Sequence, residues 1–171
     1  KGDEIIKLTN INTYSEKNIL EIVINRISVW TGKTLYDLLA SHNFELGKGK
    51  HRNAILIRQL IGLNSKGTVK EFEEIGLYIK ITPRNLFSNK AYEQMSFPHQ
   101  PFASIIEEDD FEESQLRTYL QNLIFIPLLS DKKSESNPNK IFFGSPILWS
   151  PSKTELHEIQ KEWELFRNTL R

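Results

Sequence analysis

Cysteine is absent from the 171 residues. Thiolate metal sites, a cysteine nucleophile and disulfides are thereby excluded, although the compartment is left open. Long apolar runs are missing too. None approaches the ~18 residues of a membrane span, so no membrane partner is expected. There is no internal repeat and no long low-complexity tract. The four histidines, His42, His51, His99 and His157, lie far apart without ligand spacing, and none is expected to hold a metal. Net charge is also absent, with 22 Lys and Arg against 22 Asp and Glu.

The remainder is ordinary for a soluble globular protein: 39% apolar and 26% charged residues. A chain of this length can bury about 70% of its unfolded surface and needs no metal or disulfide to fold. One domain over 1–171 is expected, with 1–30 as a lead-in and helix and 31–171 as the core. The start, Lys1-Gly2-Asp3, carries no methionine, and the expectation is a piece of a longer polypeptide.

The zero net charge hides segregation. Leu46 to Lys70 holds six Lys and Arg (Lys48, Lys50, Arg52, Arg58, Lys66, Lys70), one His and no acid. Glu107 to Glu113 is acidic at six of seven positions. The basic stretch would attract a polyanion even from a neutral chain. The alternative is a solvated helix end and a solvated acidic loop.

Periodicity predicts the elements. Residues 17–30 put Ile19, Leu20, Ile22, Val23, Ile27 and Trp30 at helical spacing, and Gly32 stops that helix. A second helix is expected over 33–41, and a third over 50–61 with a basic first turn and Gly62 as its stop. Residues 76–82 (GLYIKIT) alternate as a strand ended by Pro83. Further strands are expected at 91–97, 122–129 and 140–150, the last interrupted by Gly144-Ser145-Pro146. A turn is expected at 99–101, a helix over 111–121 and a loop over 130–140. Ser152 and Glu155 form a capping box for a final helix whose stripe, Leu156, Ile159, Trp163, Phe166 and Leu170, reads as core. The order of elements gives an α/β or α+β fold with a mixed central sheet flanked by helices.

Several stretches carry a family resemblance. "FFGSPILWSP", followed by a helix with "EW" in its middle, resembles the end of the MutH mismatch-repair endonucleases. "EIGLYIKITP" resembles that family's acid-bearing strand, and "GKTLYDLL", "KGKHRNAILIRQLIG" and "LQNLIFIPL" resemble its early helix, lysine-started helix and later strand. A MutH-like restriction-endonuclease fold is implied. A related Sau-type restriction enzyme that recognises GATC resembles two such domains in one chain, the second lacking a working nuclease site. "KEFEEIGLYIKIT", "EQMSF" and "NILEIVINRI" are similar to that second copy.

The resemblance implies which positions carried chemistry. An acid–any–lysine strand uses alternation to place both side chains on one face, where they hold Mg²⁺ and steady phosphoryl transfer. Here the pair is Tyr78 and Lys80, and a neutral phenol is a poor Mg²⁺ ligand beside a carboxylate. The family aspartate seven residues earlier corresponds to Glu71, with Glu73 and Glu74 as uncertain substitutes. The family carboxylate four residues before the helix glycine corresponds to Arg58, a fixed positive charge that would repel a cation or pair with Glu71. A family lysine before "IFIP" corresponds to Tyr119. Arg58, Glu71, Tyr78 and Lys80 are therefore expected to form a vestigial site with no catalytic residue and no metal. Lys80 remains for phosphate, or is satisfied by Glu71 or Glu73.

DNA contacts are expected from Lys48, Lys50, His51 and Arg52 around a helix start, where free N–H groups attract anions. Lys80, Arg84, Asn85 and Lys90 are expected to add to them. In the relatives more chain follows the last helix and helps to read bases, so base-reading residues are expected beyond Arg171. The implied function is a DNA-binding effector domain of a two-site type II restriction endonuclease in the bacterial cytoplasm. Its partners would be GATC-like duplex and a catalytic domain of the same polypeptide, and only the latter would need Mg²⁺. The alternatives are an active Mg²⁺-dependent nuclease drawing on Glu71, Glu73 or Glu74, and a protein-interaction module presenting the 107–113 acids.

Overall fold

The computed structural model describes residues 16–43, 52–62, 72, 75–94, 98–134 and 136–171. Its frame is a four-stranded mixed sheet. Strand β1 (Leu77–Asn85) runs parallel to β2 (Asn122–Ser130) in a register that pairs Tyr78 with Leu123 and Lys80 with Phe125. On the other side of β2, the short strands β3 (Phe142–Phe143) and β4 (Ile147–Trp149) pair antiparallel.

Alternation along the strands sorts side chains into two cores. Leu77, Ile79 and Ile81 of β1, with Ile124, Ile126 and Leu128 of β2, face one cluster. That cluster is closed by helices α1 (Glu16–Ser28), α2 (Leu35–His42) and α3 (Arg52–Leu60), through Ile19, Val23, Ile27, Leu35, Leu38, Leu56 and Leu60. Tyr78, Leu123 and Phe125 face the opposite cluster with α4 (Phe102–Glu107), α5 (Gln115–Tyr119) and α6 (Lys153–Leu170). The sheet is thus flanked by helices on both faces, as the α+β reading requires. No described helix is long and apolar enough to cross a membrane.

Local chemistry accounts for the boundaries. Thr34 caps α2 and Ser152 caps α6, each in a capping box, with Asp37 and Glu155 returning the bond. Gly32 and Gly62 take positive φ where α1 and α3 end. Arg26 of α1 donates to the carbonyl of Ile61 at 2.7 Å, so one helix satisfies the open end of another. Residues 32–35 bond the outer edge of β3, through Gly32 N–H to Phe143 O and Leu35 N–H to Ile141 O, both at 2.8 Å.

Pro83 does not end β1, which continues to Asn85. The Pro83 carbonyl accepts from Tyr92 N–H, on the side away from β2. Its nitrogen therefore faces the same side, and the missing N–H costs no bond to β2. Pro127 solves the same problem inside the central strand. Its carbonyl accepts from Gly144 N–H at 2.8 Å, so its nitrogen faces the Gly144-Ser145-Pro146 break between β3 and β4, where the ladder is already open.

Other expectations shift. The strand expected over 91–97 reduces, among the described residues, to one bridge between Ala91 and Arg84. Tyr92 then turns its hydroxyl to the Ser130 carbonyl, 2.6 Å away. The helix expected over 111–121 is only Gln115–Tyr119, because Ser114 caps it by accepting from Arg117 N–H and Phe111 is drawn into the core. Helix α4 was not anticipated. The final stripe is core at Trp163, but Phe166 remains 43% exposed, resting edge-on against Phe102.

A Cβ at position 144 would lie 2.8 Å from the Cβ of Pro127, a rigid ring that cannot swing aside. Gly144→Ala is expected to destabilise the fold by about 1–3 kcal/mol. Urea unfolding followed by circular dichroism checks this, with an unchanged midpoint counting against it.

Candidate nucleic-acid interface

A cleft of about 510 Å³ opens beside β1. Residues 79–84 form one wall, Asn53 and Ile57 of α3 another, and Ala91, Glu93, Gln94, Phe125 and Ile147 complete it. Lys80 and Arg84 therefore line a common cleft, at positions four apart on one strand. Burial holds the Lys80 ammonium below the ordinary lysine value of 10.5, since removing a cation from water disfavours its charged form.

Tyr78 shares Lys80's side of the strand but lies in the second core. Its ring meets that of Tyr119 edge to face, with centroids 4.6 Å apart at 87°. The two residues standing where the resemblance places a metal-binding carboxylate and a lysine thus form one T-shaped aromatic pair. Such pairs add about 0.5–1.5 kcal/mol beyond their burial. Arg58 is half-buried in the last turn of α3 and is not among the residues lining the cleft. Its neighbour Ile57 and the earlier Asn53 reach the cleft instead. Glu71, Glu73 and Glu74 lie outside the described residues.

Of the expected DNA-binding set, Lys48, Lys50 and His51 also lie outside the described residues. Arg52 is exposed at the first position of α3, one residue before cleft-lining Asn53. Asn85 is committed to local structure. Its Oδ1 accepts from Phe87 N–H at 3.0 Å, Ser88 N–H at 2.9 Å and the Ser88 hydroxyl at 3.1 Å, while Nδ2 donates to the Tyr92 hydroxyl at 3.2 Å. Arg84 donates through Nη1 to Asn89 Oδ1 at 3.2 Å, and Lys90 is exposed where the turn ends. Asn53, Glu93 and Gln94 were not named as site residues from sequence, although Glu93 and Gln94 open the EQMSF stretch. Single polar residues carry no periodic signal, and only the fold brings these three to β1.

The 107–113 acids are partly absorbed by the fold. Glu108 accepts from Gln100 Nε2 at 2.6 Å and Gln115 N–H at 2.8 Å, Asp110 accepts from Glu113 N–H at 2.9 Å, and Glu112 pairs with Arg117 at 3.1 Å. The one apolar member, Phe111, is buried against Trp163.

Two measurements probe this site. In a double-mutant cycle of Tyr78→Ala and Tyr119→Ala, a coupling of about 1 kcal/mol is expected from the ring pair, and additive losses would deny it. Lys80's folded pKa is lowered, so between that value and 10.5 the unfolded chain holds more protons and stability rises with pH. Lys80→Met should flatten that alkaline rise relative to wild type in pH-dependent unfolding.

The profile of the family described as DNA mismatch repair enzyme MutH matches residues 61–162. The DNA mismatch repair protein MutH of Shewanella putrefaciens is 26% identical over 153 residues, covering 86% of this chain and 66% of the relative. That of Shewanella woodyi is 28% identical over 156 residues, 88% of this chain and 65% of the relative. The protein of the same name from Vibrio cholerae is 26% identical over 95 residues, 56% of this chain and 41% of the relative. The chain thus spans just under two thirds of the length of the first two. The family match runs from the end of α3 through all four strands into α6, over more than half of the chain. On that match, carried by the same sheet that bears Tyr78 and Lys80, the chain belongs to the MutH family.

Proposed function

We propose that this chain is a DNA-binding effector domain, a fragment of a longer two-site restriction endonuclease, related to the second MutH-like copy of the Sau-type enzymes. It binds a GATC-like duplex and does not cut it. The observation that carries this reading is the Tyr78–Tyr119 pair. Two aromatic rings fill the place of a metal ligand and a catalytic lysine, while Lys80 and Arg84 still line the cleft beside them. A phenol engaged in an aromatic contact at 78 and a guanidinium at 58 do not fit a divalent cation, so no hydrolytic step is assigned to this domain. Mg²⁺ belongs in this reading to the catalytic domain of the same polypeptide.

Cationic groups are enough for retention of a polyanion. Lys48, Lys50, His51 and Arg52 around the start of α3, with Lys80, Arg84 and Lys90, supply sequence-independent attraction, and Asn85 contributes by shaping the turn that carries Lys90. Occupation of one site here raises the effective concentration of a second site for the catalytic partner on the same DNA. If binding also favours that partner's active state, the two sites share a coupling free energy, and each must tighten the other. Three of the 107–113 acids, Glu108, Asp110 and Glu112, are engaged in local hydrogen bonds or an ion pair, which favours this reading over a protein-interaction module.

Fluorescence anisotropy with a GATC duplex at two salt concentrations, run beside a nicking assay with Mg²⁺ or Mn²⁺, tests the proposal. Salt-dependent binding without nicking is expected. Robust cleavage that Glu71→Ala abolishes would establish an active nuclease instead. No binding, or binding indifferent to salt, would favour the interaction module. Lys50→Ala with Arg52→Ala should weaken binding to all sequences and reduce the log–log salt slope by about 1.8, at about 0.9 per phosphate contact. Tyr78→Glu alone should not restore cleavage, because it leaves Arg58 and Tyr119 in place.

A further inference from the structure

Phe87 is 83% exposed at the tip of the turn that follows β1. Turn tips are ordinarily polar, and an exposed phenylalanine forgoes the stabilisation that burial of its ring would give. The turn beneath it is rigidly built. Asn85 and Asn89 are bonded across it, with Asn89 N–H to Asn85 O at 2.9 Å and Asn85 N–H to Lys90 O at 2.8 Å. The Asn85 side chain holds the N–H groups of Phe87 and Ser88, and Asn89 takes a left-handed φ of 55°. Leu86 N–H and the Tyr92 hydroxyl both anchor the turn to the carbonyl of Ser130 at the end of β2. An apolar ring is therefore held out from the protein on a fixed support, flanked by Arg84 on the cleft side and Lys90 after it.

We propose that Phe87 is an apolar probe that enters a groove of bound duplex DNA and leans on a base step, its position fixed by the phosphate contacts of Arg84 and Lys90. This rests on the DNA-binding reading above and adds to it a contact that senses base stacking rather than charge. A ring presented by a preformed turn loses little conformational freedom on binding, so its contact energy appears in the affinity. Side chains of this type at a groove partly unstack the step they touch, which favours easily deformed steps over stiff ones.

Anisotropy titrations of wild type, Phe87→Ala, Phe87→Leu and Lys90→Ala on one GATC duplex, each at several salt concentrations, separate the two kinds of contact. Phe87→Ala is expected to weaken binding about tenfold, the scale of one aromatic–base contact, with an unchanged salt slope. Phe87→Leu should recover part of the loss, and Lys90→Ala should lower the slope by about 0.9. A duplex carrying 2-aminopurine at successive steps should brighten at one step with wild type and not with Phe87→Ala. The melting temperature of Phe87→Ala should equal that of wild type, and a lower one would overturn the assignment of the ring as free of the fold. Wild-type binding that Phe87→Ala leaves unaltered would overturn this inference alone. Failure of wild type to bind duplex at any salt concentration would overturn the DNA-binding reading and this inference with it.

Discussion

The parallel pairing of β1 with β2 is the constraint on which the rest of the molecule depends. Because side chains alternate along a strand, this register settles which residues meet in each core. Leu77, Ile79 and Ile81 can close the α1–α3 side only if Tyr78 and Lys80 face the other. A slip of one residue would expel three aliphatic side chains and draw an ammonium among them. The same register delivers Tyr78 to Tyr119 and sets Lys80 and Arg84 along one cleft. Site and core are consequences of a single pairing, so the frame of the family and the contents of the cleft rest on the same register.

The exchange proposed at positions 78 and 119 is physically coherent. A carboxylate pair and a lysine are held together by the metal and the phosphate between them. Without a cation, clustered acids repel one another and an isolated buried lysine carries a desolvation cost. Two phenol rings meeting edge to face need no ion, and they contribute to the core. The strand is stabilised by that ring pair. Partial burial holds the Lys80 ammonium below the ordinary lysine value, and a phosphate nearby would raise it again.

Much of the fold was legible in the sequence. The apolar periods of α1 and α6, the run Leu123 to Leu129 and the Ser152–Glu155 box each name a period or a cap, and these signals are local. The misreadings concern residues whose roles are set from a distance. Pro83 reads as a stop until the side its nitrogen faces is known. Phe111 reads as part of a helix until the second core claims it. Helix α4 is too short to show a period. The site was legible in part and for a different reason: family resemblance marked positions 58, 78, 80 and 119, but only the fold shows that 78 and 119 touch and that 58 stands apart from the cleft lining. Phe87 lies inside a stretch valued for Arg84, Asn85 and Lys90, where an isolated aromatic gives no pattern to read.

The open stretch of ladder beside Pro127 also limits how the outer strands can sit. Pro127 has no N–H to give, and its carbonyl is taken by Gly144 between the two short strands. β3 therefore pairs only at Leu128 and Leu129, and β4 only from Leu123 to Phe125. Neither outer strand can creep along β2 without meeting a ring that offers no proton. The proline thus works as a wedge that keeps two short neighbours from sliding into one another's place.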